Sequence, residues 1–161
     1  MRAPTFTDRR DAGRRLSQRL KHLAGQSGVV VLALPSGGVP VGIEIARALH
    51  APLDVFVVRK LGVPGHEELA MGAVASGGVR VLNDDIIAHL AISEADLEAA
   101  TIRERRELER LEHAYRDGRP ARNVRGATVV LVDDGIATVT RACPRSSVIT
   151  VGVQNPASGS S

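Results

Sequence analysis

The 161-residue sequence has no tryptophan, and Phe6, Phe56 and Tyr115 are its only aromatic residues. Base-stacking surfaces of the RRM or OB type need rings, so this composition disfavours them. The core has to be aliphatic, built from Val, Leu, Ile and Ala. Cysteine is almost absent as well: Cys143 stands alone. One thiol excludes an internal disulfide and a Cys-rich zinc module, and it suits a reducing compartment. No apolar run reaches the ~18 residues of a membrane span, and the polar N-terminus does not read as a signal peptide. What remains is a chain that is 43% hydrophobic and long enough to bury one sizeable core. The expectation is one soluble cytoplasmic domain, with no membrane partner.

The formal net charge of +3 is unevenly spread. Residues 1–25 carry seven Lys or Arg and two Asp, whereas residues 94–125 carry eight of each sign. A basic N-terminus can serve as a nucleic-acid arm. Here Ala12, Leu16, Leu20 and Leu23 recur at helical spacing, and the arginines mostly lie off that stripe. The segment therefore reads as a surface helix with a wet basic face, and no nucleic-acid partner is expected.

That first helix is expected from Asp8 to Ala24, with Thr7 as its cap. Val29 to Leu34 is continuous and apolar without alternation, as in a parallel strand covered on both faces. Pro35-Ser36-Gly37-Gly38 breaks the run, and Val39 to His50 reads as a helix. Leu53 to Val58 reads as a second buried strand ending at Arg59-Lys60. Residues 61–78, rich in glycine and broken by Pro64, read as a long loop with a short strand at Met71–Ala75. Val79–Leu82 is a candidate hairpin partner across Ser76-Gly77-Gly78. Ser93-Glu94-Ala95-Asp96 looks like a capping box opening a charged helix to about Tyr115, expected to stand off the core as a hood or flap over residues 93–118. Thr128 to Val132 is a third buried strand, ending in Asp133-Asp134-Gly135-Ile136-Ala137-Thr138. The fold class expected is α/β: three layers, with a mostly parallel sheet flanked by helices.

In open α/β sheets, ligands bind at the carboxyl ends of the strands. Those ends carry the glycine turn, the Arg59-Lys60 pair and the Asp133-Asp134 pair. Glycines let backbone N–H groups approach a phosphate, and a following helix adds its positive end. Arg59 and Lys60 can neutralise a polyanion, and paired carboxylates suit sugar hydroxyls or a hydrated magnesium ion. Together they describe a site for a phosphorylated sugar.

Val129 to Thr138 resembles the phosphoribosyl-pyrophosphate motif of type I phosphoribosyltransferases. Leu32 to Val41 and Val57 to Gly62 are similar to the same family. Pro64 to Val74 fits its bacterial branch, in which the domain occurs alone or fused to hydrolase-like domains. The resemblance implies transfer of ribose-5-phosphate between phosphoribosyl pyrophosphate and a nitrogenous acceptor such as a nucleobase or other amine. It implies that Asp133 and Asp134 hold the ribose hydroxyls and help place Mg2+ through the substrate. Gly135, Ile136, Ala137 and Thr138 would cradle the 5-phosphate. Ser36, Gly37 and Gly38 would bind pyrophosphate, with Arg59 and Lys60 balancing its charge. Residues 61–78, with His66, Glu67 and Glu68, would be a mobile loop closing over the substrate. The partners implied are small molecules, with a homodimer as the assembly allowed.

The chain departs from the family's pattern twice. Ser36 stands where the family commonly has arginine. After Thr138 the sequence runs Val139-Thr140-Arg141-Ala142-Cys143-Pro144, where the family continues with glycine, a small residue and threonine. The domain is therefore expected over residues 1–138, with 139–161 an atypical, partly disordered tail, as if truncated or altered in frame. A non-catalytic module of the same fold, binding a nucleotide or sugar phosphate, is the alternative. A serine-hydrolase elbow fails because Leu34 stands where glycine is required. A dinucleotide fingerprint fails at Val39. The five histidines show no metal-ligand spacing.

Overall fold

The structure, a computed structural model, describes residues 7–133 and 147–152. Asp8, rather than Thr7, caps the first helix, α1 (Arg9–Arg19): its carboxylate accepts from the Asp11 N–H at 2.7 Å. Asp11 in turn accepts from the Thr7 N–H at 3.2 Å. That bond, with Arg15 close by, holds the Asp11 carboxyl below its ordinary value. The helix stops short of Ala24. The Leu20 N–H turns to the Ser17 carbonyl, and Lys21–Leu23 continues as one tighter 3-10 turn.

The chain divides into two compact units, residues 1–55 with 121–161, and residues 56–120. The first unit holds a four-stranded parallel sheet built from β1 (Val29–Ala33), β2 (Leu53–Val55), β6 (Thr128–Asp133) and β7 (Ser147–Gly152), in the order β2-β1-β6-β7. Val31 pairs with Val130 and Leu32 with Leu131. Val29, Val31, Val130 and Val132 pack in one cluster with α1 and with α2 (Gly38–Leu49). Val30, Leu32, Val129 and Leu131, which alternate with them, are buried too. Burial on both faces is why these strands read as unbroken aliphatic runs. Val41, Ile45 and Leu49 of α2 are each at most 2% exposed, and each contributes about 1.5–3 kcal/mol of burial.

Two expectations give way in this unit. The second strand ends at Val55, not Val58. Asp54 accepts from the Val55 N–H at 2.8 Å and from the Arg122 N–H at 3.0 Å, and the chain leaves the sheet. Residues 147–152, expected in a tail apart from the domain, form β7 and pair along the whole of β6.

The second unit holds an antiparallel sheet of β3 (Val58–Val63), β4 (His66–Ala75) and β5 (Val79–Leu82). A short helix, α3 (Asp84–His89), and the long α4 (Glu94–Arg116) follow. The loop expected over 61–78 is therefore mostly strand, with register shifts on either side of Gly62. The hairpin of β4 and β5 across Ser76–Gly78 matches expectation. Leu97, Ala100 and Leu108 of α4 pack with Leu61, Val63, Met71 and Val74. The helix expected to stand off the core as a hood or flap thus packs on the sheet of this second unit. Ser93 caps it, accepting from the Asp96 N–H at 3.1 Å. Ser93→Ala is expected to lower stability by about 1 kcal/mol, read as a shift in the urea midpoint. Among the described residues, no helix is long and apolar enough to cross a membrane.

Candidate functional site

The strand order contains a switch point. From β1 the chain crosses through α2 to β2 on one side, and β6 and β7 lie on the other. Open α/β sheets form a ligand crevice at such a point, beyond the carboxyl ends of the two central strands. Here those strands are β1 and β6.

Leu34 follows β1, and its N–H donates to the Val132 carbonyl at 2.8 Å. The turn Pro35-Ser36-Gly37-Gly38 then leads into α2, with a cis peptide between Pro35 and Ser36. Inside the turn, the Gly38 N–H donates to the Leu34 carbonyl at 2.9 Å, and the Val39 N–H to the Ser36 carbonyl at 3.3 Å. Ser36 is exposed while Gly37 and Gly38 are buried. A Cβ on Gly38 would lie 2.5 Å from the Val132 carbonyl oxygen and 3.4 Å from the Asp133 Cα. Glycine is needed there because the turn rests against the end of β6. The contact joins two of the sequence-derived features: the glycine turn, with the positive end of the α2 dipole, and Asp133. Asp133 is the last residue of β6 and is half-buried. Asp134, Gly135, Ile136, Ala137 and Thr138 lie outside the described residues.

Arg59 and Lys60 are not at the end of β2. They lie within β3, where successive side chains point to opposite faces. Arg59 shares a face with Leu61 and Val63 and donates from Nε to Glu104 Oε2 of α4 at 2.9 Å. Lys60 is exposed on the other face. The two side chains therefore leave β3 on opposite faces, and Arg59 is engaged with α4. The sequence carried a signal for this, since adjacent residues in a strand diverge.

His66, Glu67 and Glu68 are exposed on β4, not on a loop, and His66 pairs with Val63 of β3. His66 Nδ1 lies 3.7 Å from Glu68 Oε1. Ser76, which sequence reading took only as part of a turn, is buried and accepts from the Val57 N–H at 2.9 Å. Among the described residues, no group of three or more His, Cys, Asp or Glu could hold a metal ion. A magnesium ion needs less, because it keeps several waters and takes one or two carboxylates plus substrate phosphates. Asp133 at a strand end fits that donor set.

Residues 7–141 match the family described as Phosphoribosyl transferase domain. Two curated proteins from strains of Mycobacterium tuberculosis, named "Putative phosphoribosyl transferase Rv0571c" and "Putative phosphoribosyl transferase MT0597", are each 53% identical over 133 residues, 83% of this chain. The chain spans 30% of the length of those relatives. Among solved structures, the crystal structure of TT1426 from Thermus thermophilus matches with a TM-score of 0.70 at 34% identity. The match covers 95% of this chain and 86% of that one.

Proposed function

Since the chain belongs to the phosphoribosyl transferase domain family, we propose that it transfers ribose-5-phosphate between phosphoribosyl pyrophosphate and a nitrogenous acceptor such as a nucleobase, in the cytoplasm. The acceptor nitrogen forms a bond to the anomeric carbon as the bond to pyrophosphate breaks. Positioning and charge stabilisation serve this chemistry, and no protein nucleophile is required. In the reading proposed, Asp133 and Asp134 hold the ribose hydroxyls and the substrate's hydrated magnesium. Gly135 to Thr138 hold the 5-phosphate, and Ser36 to Gly38 the pyrophosphate. Assignment of Arg59 and Lys60 to pyrophosphate rests on the sequence resemblance.

The observation that carries the reading is the seating of the glycine turn on the end of β6 at the switch point, beside Asp133. Calorimetric titration with phosphoribosyl pyrophosphate and magnesium tests it. Binding is expected, and Asp133→Asn with Asp134→Asn should weaken it about tenfold or more, equivalent to ~1.4 kcal/mol. No binding at millimolar ligand overturns the reading. Pyrophosphate release across a panel of nucleobases then identifies the acceptor. Binding without release for any acceptor favours the non-catalytic module instead.

A further inference from the structure

Helix α4 carries more positive charge than its neighbours take up. Ala99, Ile102, Arg103, Arg106 and Arg110 are exposed and follow one another at spacings of 3, 1, 3 and 4, so they share one flank of the helix. That flank borders a depression of about 730 Å³, to which β3 contributes Arg59. The volume is that of a small-molecule site. Every residue lining it belongs to the second unit.

Four guanidiniums against two carboxylates give this lining a formal charge of +2. Both carboxylates are already held. Glu104 accepts from Arg59 Nε at 2.9 Å, and Glu107 accepts from Arg110 Nε at 2.9 Å and Nη2 at 2.5 Å. That leaves two guanidiniums unspent. Arg103 comes no nearer than 3.9 Å to Glu104, beyond hydrogen-bond range. Arg106 has no ion pair or side-chain hydrogen bond among the described residues. Beside these two forks stands Ile102, at 51% exposure the most exposed large hydrophobic side chain among the described residues, with Ala99 one turn before it. Free donors next to an apolar contact suit an anion with an apolar body.

We propose that this depression binds a phosphate monoester whose organic part is apolar. The phosphate, a dianion above its second pKa of about 6, matches the excess of two charges. Arg103 and Arg106 donate to its oxygens through planar forks, and the organic group covers Ile102 and Ala99. Glu104 and Glu107 do not oppose the anion, because Arg59 and Arg110 neutralise them in place. Free phosphate would leave Ile102 in water, and a carboxylate would meet only half of the excess charge. The arginines are open to solvent and screened by salt, so binding is weak, on the order of millimolar. The inference does not rest on the transferase reading.

Titration of the isotope-labelled full chain with phenyl phosphate at neutral pH and low salt, followed by amide chemical shifts, tests it. Saturable shifts are expected at residues 99–110. Inorganic phosphate should bind the same residues about fivefold more weakly, and Ile102→Ser should erase that difference. Arg103→Gln and Arg106→Gln, both at exposed positions that leave the circular dichroism spectrum unchanged, should each weaken phenyl phosphate about fivefold or more. Phenyl phosphate that shifts no residue of α4 over the millimolar range overturns the proposal. Shifts confined to the glycine turn at residues 36–39 assign the anion to that turn and overturn it as well. So does binding that the double variant R103Q/R106Q leaves intact, or equal affinity of the wild-type chain for the two phosphates.

Discussion

Gly38→Val is expected to lower stability by about 3 kcal/mol or more and to remove binding of phosphoribosyl pyrophosphate. The first β-carbon alone would sit 2.5 Å from the Val132 carbonyl oxygen, a contact that no side-chain rotation relieves because the obstacle is backbone. Either α2 moves away from the sheet or β6 moves away from β1. The first course opens the core around Val41 and Ile45, and the second breaks the bond from Leu34 to Val132. Both separate the glycine turn from Asp133. Urea denaturation reads the stability, and calorimetric titration reads the binding at a temperature where circular dichroism shows the variant folded. Wild-type stability in this variant would mean that the turn does not rest on β6. Wild-type binding by a destabilised variant would separate the fold's need for Gly38 from the site's.

What the sequence discloses here follows from burial. Val29–Leu34 and Thr128–Val132 are legible as parallel strands because both of their faces are covered, which leaves no charged residue in either run. Ser93 is legible because a cap is a local bond across three residues. That β1 and β6 are neighbours is not legible, since no local pattern records pairing between segments so far apart. Leu53–Val58 reads as one buried strand, yet its first half is β2 and its last residue already opens β3. What divides it is polar. Asp54 takes the Val55 N–H, Ser76 takes the Val57 N–H, and neither contact shows in hydrophobic periodicity. The same blindness misplaced Arg59 and Lys60. Read at a strand end they form a pair, and read inside β3 they diverge, one of them to Glu104. The departure from the family pattern after Thr138 suggested a segment outside the domain. Pairing between backbones needs no particular side chains, and residues 147–152 join the sheet edge regardless.

Gly72→Val is expected to cost the second unit about 3 kcal/mol or more, at a position that the sequence places in the short strand expected at Met71–Ala75 within a glycine-rich loop. Glycine inside a strand marks a bulge or a close approach of another backbone. At Gly72 it is close approach: the position pairs with Leu82 of β5, and a Cβ there would lie 2.4 Å from the Val81 carbonyl oxygen and 3.1 Å from Leu82 Cδ2. A valine would force β5 away from β4 and expose Met71 and Val74, which are now at most 1% exposed. Leu69→Thr, three residues earlier on the same strand and at an exposed position, should change stability by only about 0.5 kcal/mol. Thermal and urea unfolding of the two variants side by side give the measurement. On a loop, both substitutions would be tolerated alike. In the hairpin of β4 and β5, only Leu69→Thr is. Equal stability of the two variants would remove the close approach of β5, and with it the physical reason that glycine stands at position 72.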